Sequence, residues 1–298
     1  QKAKIFNIIK KSIICDINDK KILKKNLDKI KPNIIIHLAA QSLVIKGYEN
    51  PSLTYKTNLM GTLNVLECSK KIKNLKKILI VTTDKVYDVT QKKLFKEDDK
   101  MFGRDPYSAS KVCVEHLVYS HKHSYFDNLK KSLDILIGRS GNVIGGGDIG
   151  KYRIVPDLTR AIKHQKILYI RNPNSIRPWQ HVLEPLYGYL LLISAKNIKK
   201  SNYAWNFGPD KKSFRKVIEI VKKFKANFVV KCKIKKNNYK ETKILKLNSI
   251  MAKKKLGWKS KWDFNETLNK IIEFEKLAKL KVSYYDICLK QINEYLKK

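Results

Sequence analysis

With 298 residues and 43% hydrophobic content, the chain has room for one large α/β domain, or for one domain with a smaller partner. No stretch approaches the ~20 apolar residues of a membrane span, the opening Gln1-Lys2-Ala3-Lys4 leads into too short an apolar run for a secretion signal, and Cys15, Cys68, Cys113, Cys232 and Cys288 are scattered without a C-x-x-C pair, so they read as reduced thiols of a cytosolic protein. The net charge of +38 invites a nucleic-acid reading, but arginine is scarce, the lysines are spread evenly, and there is no aromatic-studded basic block, which suits a polyanionic small ligand such as a nucleotide diphosphate better.

In chain order, 33–38 is a short apolar run after Lys31-Pro32 and predicts a buried parallel strand. A helical pattern over 55–71 carries Leu59, Leu63, Val65 and Leu66. A strand over 77–82, a helix over 107–121 and a strand over 133–138 follow. This alternation predicts an α/β fold, a doubly wound parallel sheet of the Rossmann type. Parallel crossovers put strand C-termini on one edge, where ligands bind. Ala39-Ala40-Gln41, Thr83-Asp84-Lys85 and Arg139-Ser140-Gly141-Asn142 all follow strands and converge there.

Gly145-Gly146-Gly147 opens no helix in a G-x-G-x-x-G pattern, so it reads as a turn into a second domain. The segment 171–186 sets two arginines, a tryptophan and a histidine between prolines, a stiff polar loop in which an arginine could clamp phosphate. Helices are expected over 214–224, 250–255, 265–277 and 284–296.

Tyr107 and Lys111 are four apart and share a helix face. A lysine cation beside a phenol stabilises the phenolate and lets it act as a base near neutral pH. Thr83-Asp84-Lys85 adds a hydroxyl, a proton donor and a second amine. Together these are the parts needed to oxidise a carbinol and expel water beside it.

These residues resemble the extended short-chain dehydrogenase/reductase superfamily. His37-Leu38-Ala39-Ala40-Gln41, Thr57-Asn58 with Gly61-Thr62, and Tyr107 with Lys111 carry that likeness. Rarer strings resemble its CDP-glucose 4,6-dehydratase branch. They are Lys85 in Thr83-Asp84-Lys85, the run from Gly141 to Asp148, Ile176-Arg177-Pro178-Trp179-Gln180-His181, Trp205-Asn206-Phe207-Gly208-Pro209, Leu256-Gly257-Trp258 and Cys288-Leu289-Lys290-Gln291-Ile292. The likeness runs from Cys15 almost to the end. The family's opening strand, Gly-rich turn and helix have no counterpart, so the chain reads as lacking about 30 N-terminal residues. Lys240, before Glu241, stands where a histidine is usual.

The resemblance implies a hydro-lyase that keeps NAD bound and converts CDP-D-glucose to CDP-4-dehydro-6-deoxy-D-glucose. In it Tyr107 takes the 4-hydroxyl proton, Lys111 lowers the tyrosine pKa, Thr83 holds the 4-oxygen and Asp84 protonates the leaving 6-hydroxyl. Lys85 serves as C5 base or stabilises the enolate. Asp16, Ile17, Ala39, Ala40, Gln41, Thr57, Tyr107 and Lys111 would contact NAD, and Asn142 and Arg177 the substrate. The implied domains are 1–139 with 180–208 for NAD, and 140–179 with 209–298 for the nucleotide sugar. No metal, nucleic acid or membrane partner is expected. A cytoplasmic homodimer is, through the two helices over 55–71 and 107–121, with Leu59, Leu63, Leu117 and Val118 at the contact. The alternatives are another nucleotide-sugar epimerase or dehydratase of this fold, an inactive fragment without the phosphate loop, and a basic nucleic-acid binder.

Overall fold

The computed structural model describes residues 3–91, 94–127, 133–196, 198, 203–235 and 245–298; Lys240 and Glu241 lie outside the described residues. Helix α1 (Lys20–Ile30) leads to strand β1 (Ile34–His37), then α2 (Val44–Glu49), α3 (Pro51–Tyr55) and α4 (Gly61–Ser69). A π-helical turn, Lys56–Met60, joins α3 to α4. Strand β2 (Lys77–Val81), helix α5 (Pro106–His121), strands β3 (Asp134–Ser140) and β4 (Val143–Ile144), helix α6 (Ile154–Lys163) and strands β5 (Leu168–Ile170), β6 (Ile176–Pro178) and β7 (Gln180–His181) follow. The chain then forms α7 (Leu183–Ser194), β8 (Ala204–Phe207), β9 (Phe214–Lys216), α8 (Val217–Lys225), β10 (Cys232–Ile234), α9 (Ile250–Leu256), α10 (Phe264–Lys279) and α11 (Tyr284–Lys297).

Among the described residues the main sheet has the order β1-β2-β3-β8, every pair parallel. Successive strand side chains point to opposite faces, and here both faces are apolar. Ile78, Ile80, Ile135 and Ile137 pack against Leu66 of α4 and Val114 and Val118 of α5. Leu79, Leu136, Trp205 and Phe207 pack against Tyr189 and Leu192 of α7 and Ala252 of α9. A parallel sheet so covered reads as continuous apolar runs, which is how 77–81 reads. Strand β1 is an edge, and Ile34 and Ile36 are exposed on it.

A separate cluster joins Ile144, Val155, Leu158, Trp179, Ile220, Phe224, Leu268 and Ile271 beyond the strand ends. Two-stranded pairings β4–β7, β5–β10 and β6–β9 brace it. The helix expected from Phe214 begins at Val217 instead. Phe214–Lys216 pairs antiparallel with β6, and the Trp179 indole donates to the Arg215 carbonyl at 3.0 Å, so tertiary pairing overrides helical pattern.

Candidate active site

The parallel strands deliver Leu38 to Gln41, Thr82 to Lys85 and Ser140 to Asn142 to one edge of the sheet. A cavity of about 350 Å³ opens there, lined by Thr83, Asp84, Lys85, Tyr107, Asn142 and Arg177 among others. Residues separated by up to about a third of the chain thus face one space.

The start of α5 is fixed by a capping box. Asp105 accepts from the Ser108 N–H at 3.0 Å, the Ser108 hydroxyl accepts from the Asp105 N–H at 3.1 Å, and Pro106 takes the first helical position. Tyr107 is therefore held at the mouth of the helix, buried in the cavity wall. Burial pushes its phenol up to about 12, and a hydrogen bond with Thr83 works against that rise. The Lys85 amine lies 6.0 Å from the centre of the Tyr107 ring. One turn on, Lys111 is buried and its amine donates to the Val81 carbonyl at 3.0 Å. Burial lowers that amine to about 8, and the Glu115 carboxylate opposes the fall.

The Thr83 hydroxyl donates to Asp84 Oδ1 at 3.2 Å and accepts from the Lys85 N–H at 3.3 Å. Asp84 is enclosed. Burial raises its carboxyl to about 6, against the pull of Lys85, Thr83 and Arg177. Its Oδ2 has no hydrogen-bond partner among the described residues. Arg177 is buried, with one guanidinium N–H donating to the Ile176 carbonyl at 3.0 Å.

Beside this cavity, Ala39 is exposed at the end of β1 and Ala40 half-buried. The Asn58 amide clamps Gln41, accepting from its N–H at 2.8 Å and donating to its carbonyl at 3.0 Å, and also donates to Ser110 of α5 at 2.9 Å. Asn58 sits in the π-helical turn next to half-exposed Thr57, a distortion that recurs at functional sites. Asp16 is exposed, its carboxylate accepting from the Asn18 N–H and side-chain amide at 2.9 and 3.0 Å. Ile17 covers Gly61 so closely that a Cβ there would lie 2.4 Å from the Ile17 side chain.

These placements fit the dinucleotide that the resemblance implies. Asp16 is free to accept from an adenine amine. Exposed Ala39 and half-buried Ala40 leave the end of β1 open to a flat ligand. The first glycine of the chain is Gly47. Among the described residues no cluster of three or more metal-ligating side chains is present, and no helix is long and apolar enough to cross a membrane.

Arg139 belongs with the strand-end residues by its position, yet it turns away from the cavity. It alternates with Gly138 and Ser140 along β3. Ser140 accepts from the Tyr189 hydroxyl at 2.9 Å on the α7 face, whereas Arg139 pairs with Glu115 on the α5 face. Neither Glu115 nor Tyr189 stands out in the sequence. Glu115 has one signal, its place one further turn along the Tyr107–Lys111 helix. Tyr152 and Arg171, which also line the cavity, are joined by a 2.8 Å bond from the Arg171 guanidinium to the Tyr152 carbonyl.

The sequence model of the GDP-mannose 4,6 dehydratase family matches residues 7–271. A CDP-glucose 4,6-dehydratase of Salmonella typhimurium is 37% identical over 304 residues, covering 98% of this chain and 84% of the relative. Two solved structures share the fold at low identity. The UDP-glucose 4-epimerase of Thermus thermophilus in complex with NAD is 20% identical with a TM-score of 0.77, covering 88% of this chain and 83% of that one. DesIV, a dTDP-glucose 4,6-dehydratase of Streptomyces venezuelae with NAD and TYD bound, is 19% identical with a TM-score of 0.76, covering 88% and 78%. With the match to the family model and the 37% identity both spanning most of its length, this chain belongs to the GDP-mannose 4,6 dehydratase family.

Proposed function

We propose that the chain is an NAD-dependent CDP-glucose 4,6-dehydratase. The observation that carries this reading is the single cavity in which Tyr107, Thr83, Asp84 and Lys85 meet, in a chain 37% identical to an enzyme of that activity. Bound NAD supplies the acceptor, and later the donor, of the electron pair exchanged with the sugar. Tyr107 takes the proton of the sugar 4-hydroxyl, with the buried Lys111 charge favouring the phenolate. Thr83 hydrogen-bonds the 4-oxygen, and the resulting ketone acidifies the C5 hydrogen. Lys85 takes that proton or stabilises the enolate. Asp84, with a carboxyl near 6, keeps a protonated fraction near neutrality and gives its proton to the departing 6-hydroxyl, which leaves as water. Such a poised acid is what general acid catalysis asks for.

Asn142 and Arg177 contact the sugar diphosphate. Asp16, Ile17, Ala39, Ala40, Gln41 and Thr57 join Tyr107 and Lys111 around NAD. The two-part division at 139/140, 179/180 and 208/209 matches a site placed between sheet edge and second cluster. We assign the protein to the cytoplasm and to a homodimer through the helical segments 55–71 and 107–121. Val118 is removed from that contact because it is fully buried under the sheet, while exposed Met60 joins Leu59, Leu63 and Leu117. Sedimentation showing a monomer at micromolar concentration would overturn the dimer.

The test of function is incubation of the chain and NAD with CDP-glucose, UDP-glucose, GDP-mannose and dTDP-glucose, followed by mass spectrometry. Loss of one water from CDP-glucose alone is the expected result. Turnover of another nucleotide sugar without CDP-glucose overturns the nucleotide, and epimers without loss of water overturn the reaction.

A further inference from the structure

Behind the cavity lies a buried polar network that the reaction above does not use. Glu115 and Arg139 are both about 1% exposed. The Glu115 carboxylate accepts from Arg139 Nε at 2.9 and 3.1 Å and from Arg139 Nη2. It also accepts from the Thr82 hydroxyl at 2.6 Å. Arg139 Nη1 donates to the Tyr87 hydroxyl at 2.6 Å and the Glu97 carbonyl at 2.7 Å. Tyr87 in turn donates to the Asn206 side chain at 2.7 Å. Burial works to lower the Arg139 guanidinium, but Glu115 outweighs it and holds the group above its ordinary value.

Two of these bonds act on the same place. Lys111 and Glu115 are one turn apart on α5. Lys111 reaches the Val81 carbonyl at 3.0 Å and Glu115 reaches the Thr82 hydroxyl at 2.6 Å. Consecutive residues at the end of β2 are therefore tied to consecutive turns of α5. Thr83, Asp84 and Lys85 begin at the next residue. We infer that Glu115, braced by Arg139 and Thr82, is a positioning residue for Lys111: it fixes α5 in register against the end of β2 and sets a negative charge one helical turn from the buried Lys111 amine, where it favours the ammonium. The catalytic meaning of that ammonium rests on the proposed dehydratase function; the placement of Glu115 one turn from Lys111 does not.

A buried ion pair is weak evidence for stability alone, since apolar residues of the same volume often hold two elements as well. Its charge does what an apolar contact cannot. Among the described residues, four elements bring groups toward the Lys111 amine. From β1 comes His37, which burial first and then Lys111 itself lower to about 4, so it is neutral. From β2 comes the Val81 carbonyl, and from α5, one turn to either side, Tyr107 and Glu115. From β3 comes Arg139, which stands behind Glu115 and is bonded to it. Glu115 is the group whose charge opposes the desolvation of Lys111.

The test is the titration of Lys111 in the chain without substrate. Lysine labelled at its side-chain carbon and nitrogen is followed by NMR, and the Lys111 signal is the one missing from Lys111→Met. In Glu115→Gln the midpoint is expected to fall by about one pH unit or more. In Thr82→Val, which loses a hydrogen bond and no charge, it is expected to stay. An unchanged midpoint in Glu115→Gln, or an equal fall in Thr82→Val, overturns the inference. If Glu115→Gln does not fold, Glu115→Gln/Arg139→Gln leaves no orphaned guanidinium. Its midpoint must still fall, by about half a pH unit, and no fall overturns the inference. In active protein, Glu115→Gln should lower kcat, leave KM for CDP-glucose unchanged and move the alkaline limb of the rate profile to lower pH by the same amount as the midpoint. A lowered midpoint in a chain that turns over no CDP-glucose would sink the proposed function and leave the role of Glu115 standing.

Discussion

Asp84 Oδ2, without a hydrogen-bond partner among the described residues, faces Gly141 so closely that a Cβ on that glycine would stand 2.8 Å from it. The same methyl would lie 2.6 Å from Cγ of Pro178, whose ring cannot swing aside. The Gly141 backbone needs no left-handed conformation, so its role here is space alone. Gly141→Ala is expected to displace the Asp84 carboxyl. Overpacking of this kind costs about 1–3 kcal/mol, so a drop in Tm of roughly 2–10 °C is expected, with kcat down on the order of 10²-fold, the scale of a misplaced acid. An alanine variant with wild-type kcat would show that this oxygen is not at the reacting atoms.

The elevated Asp84 carboxyl should be visible in stability. Its value is about 6 in the folded state against 3.8 ordinarily, with burial the main cause. Between those values the folded chain holds a proton that the unfolded chain has lost, so the stability from this group falls as pH rises from about 4 to 6 and stays low above. The shift corresponds to about 3 kcal/mol at most. Asp84→Asn removes the group, so its Tm advantage over wild type should grow across that window and then level off. A Tm difference independent of pH would mean that Asp84 is not desolvated in the folded chain.

Two histidines act in the opposite sense. Burial holds His37 at about 4 and His181 at about 3, both below the ordinary 6.5. Below 6.5 the unfolded chain takes up protons that the folded chain refuses, so stability is lost on acidification from 6.5 downward. His181 packs edge-on against Trp262 at 4.8 Å, and its Nδ1 accepts from the Leu183 N–H at 3.3 Å. His181→Phe keeps the ring contact and should lose part of the acid sensitivity, measured as a flatter Tm curve between pH 4 and 6.5. An identical slope would place the acid sensitivity elsewhere.

Local chemistry made much of this site readable in sequence. Asp105-Pro106-Tyr107-Ser108 writes the start of α5 in neighbouring residues, and 77–81 writes its strand in one apolar run. The convergence of Thr83, Tyr107 and Asn142 follows from parallel topology, which the order of elements predicts. What the sequence hides depends on pairing across the fold. Phe214 begins a strand because β6 lies beside it, not because of its neighbours in the chain. Val118 looks as apolar as Leu117, and only the angle of α5 on the sheet decides that it is core. Arg139 sits among strand-end residues, and period-two alternation sends it to the opposite face from Ser140. Its partner Glu115 is 24 residues away, a separation at which no local pattern links an acid to a base.

The last prediction separates the two halves of the proposed reaction. Lys85 stands 6.0 Å from the Tyr107 ring centre, in the same cavity. Lys85→Met keeps the stem and removes the amine. If Lys85 acts after the 4-hydroxyl is oxidised, Tyr107, Thr83 and Lys111 still complete that first step, and elimination stalls behind it. Reduced-nicotinamide absorbance should then accumulate on the protein, while exchange of the C5 hydrogen with deuterated water falls on the order of 10²-fold or more, the scale of a lost acid or base. Tyr107→Phe removes the first base and should show neither absorbance nor exchange. The two variants thus stop the reaction on either side of the ketone. Wild-type exchange and turnover in Lys85→Met would leave that amine a bystander, and the C5 step would have to be assigned to another group lining the cavity.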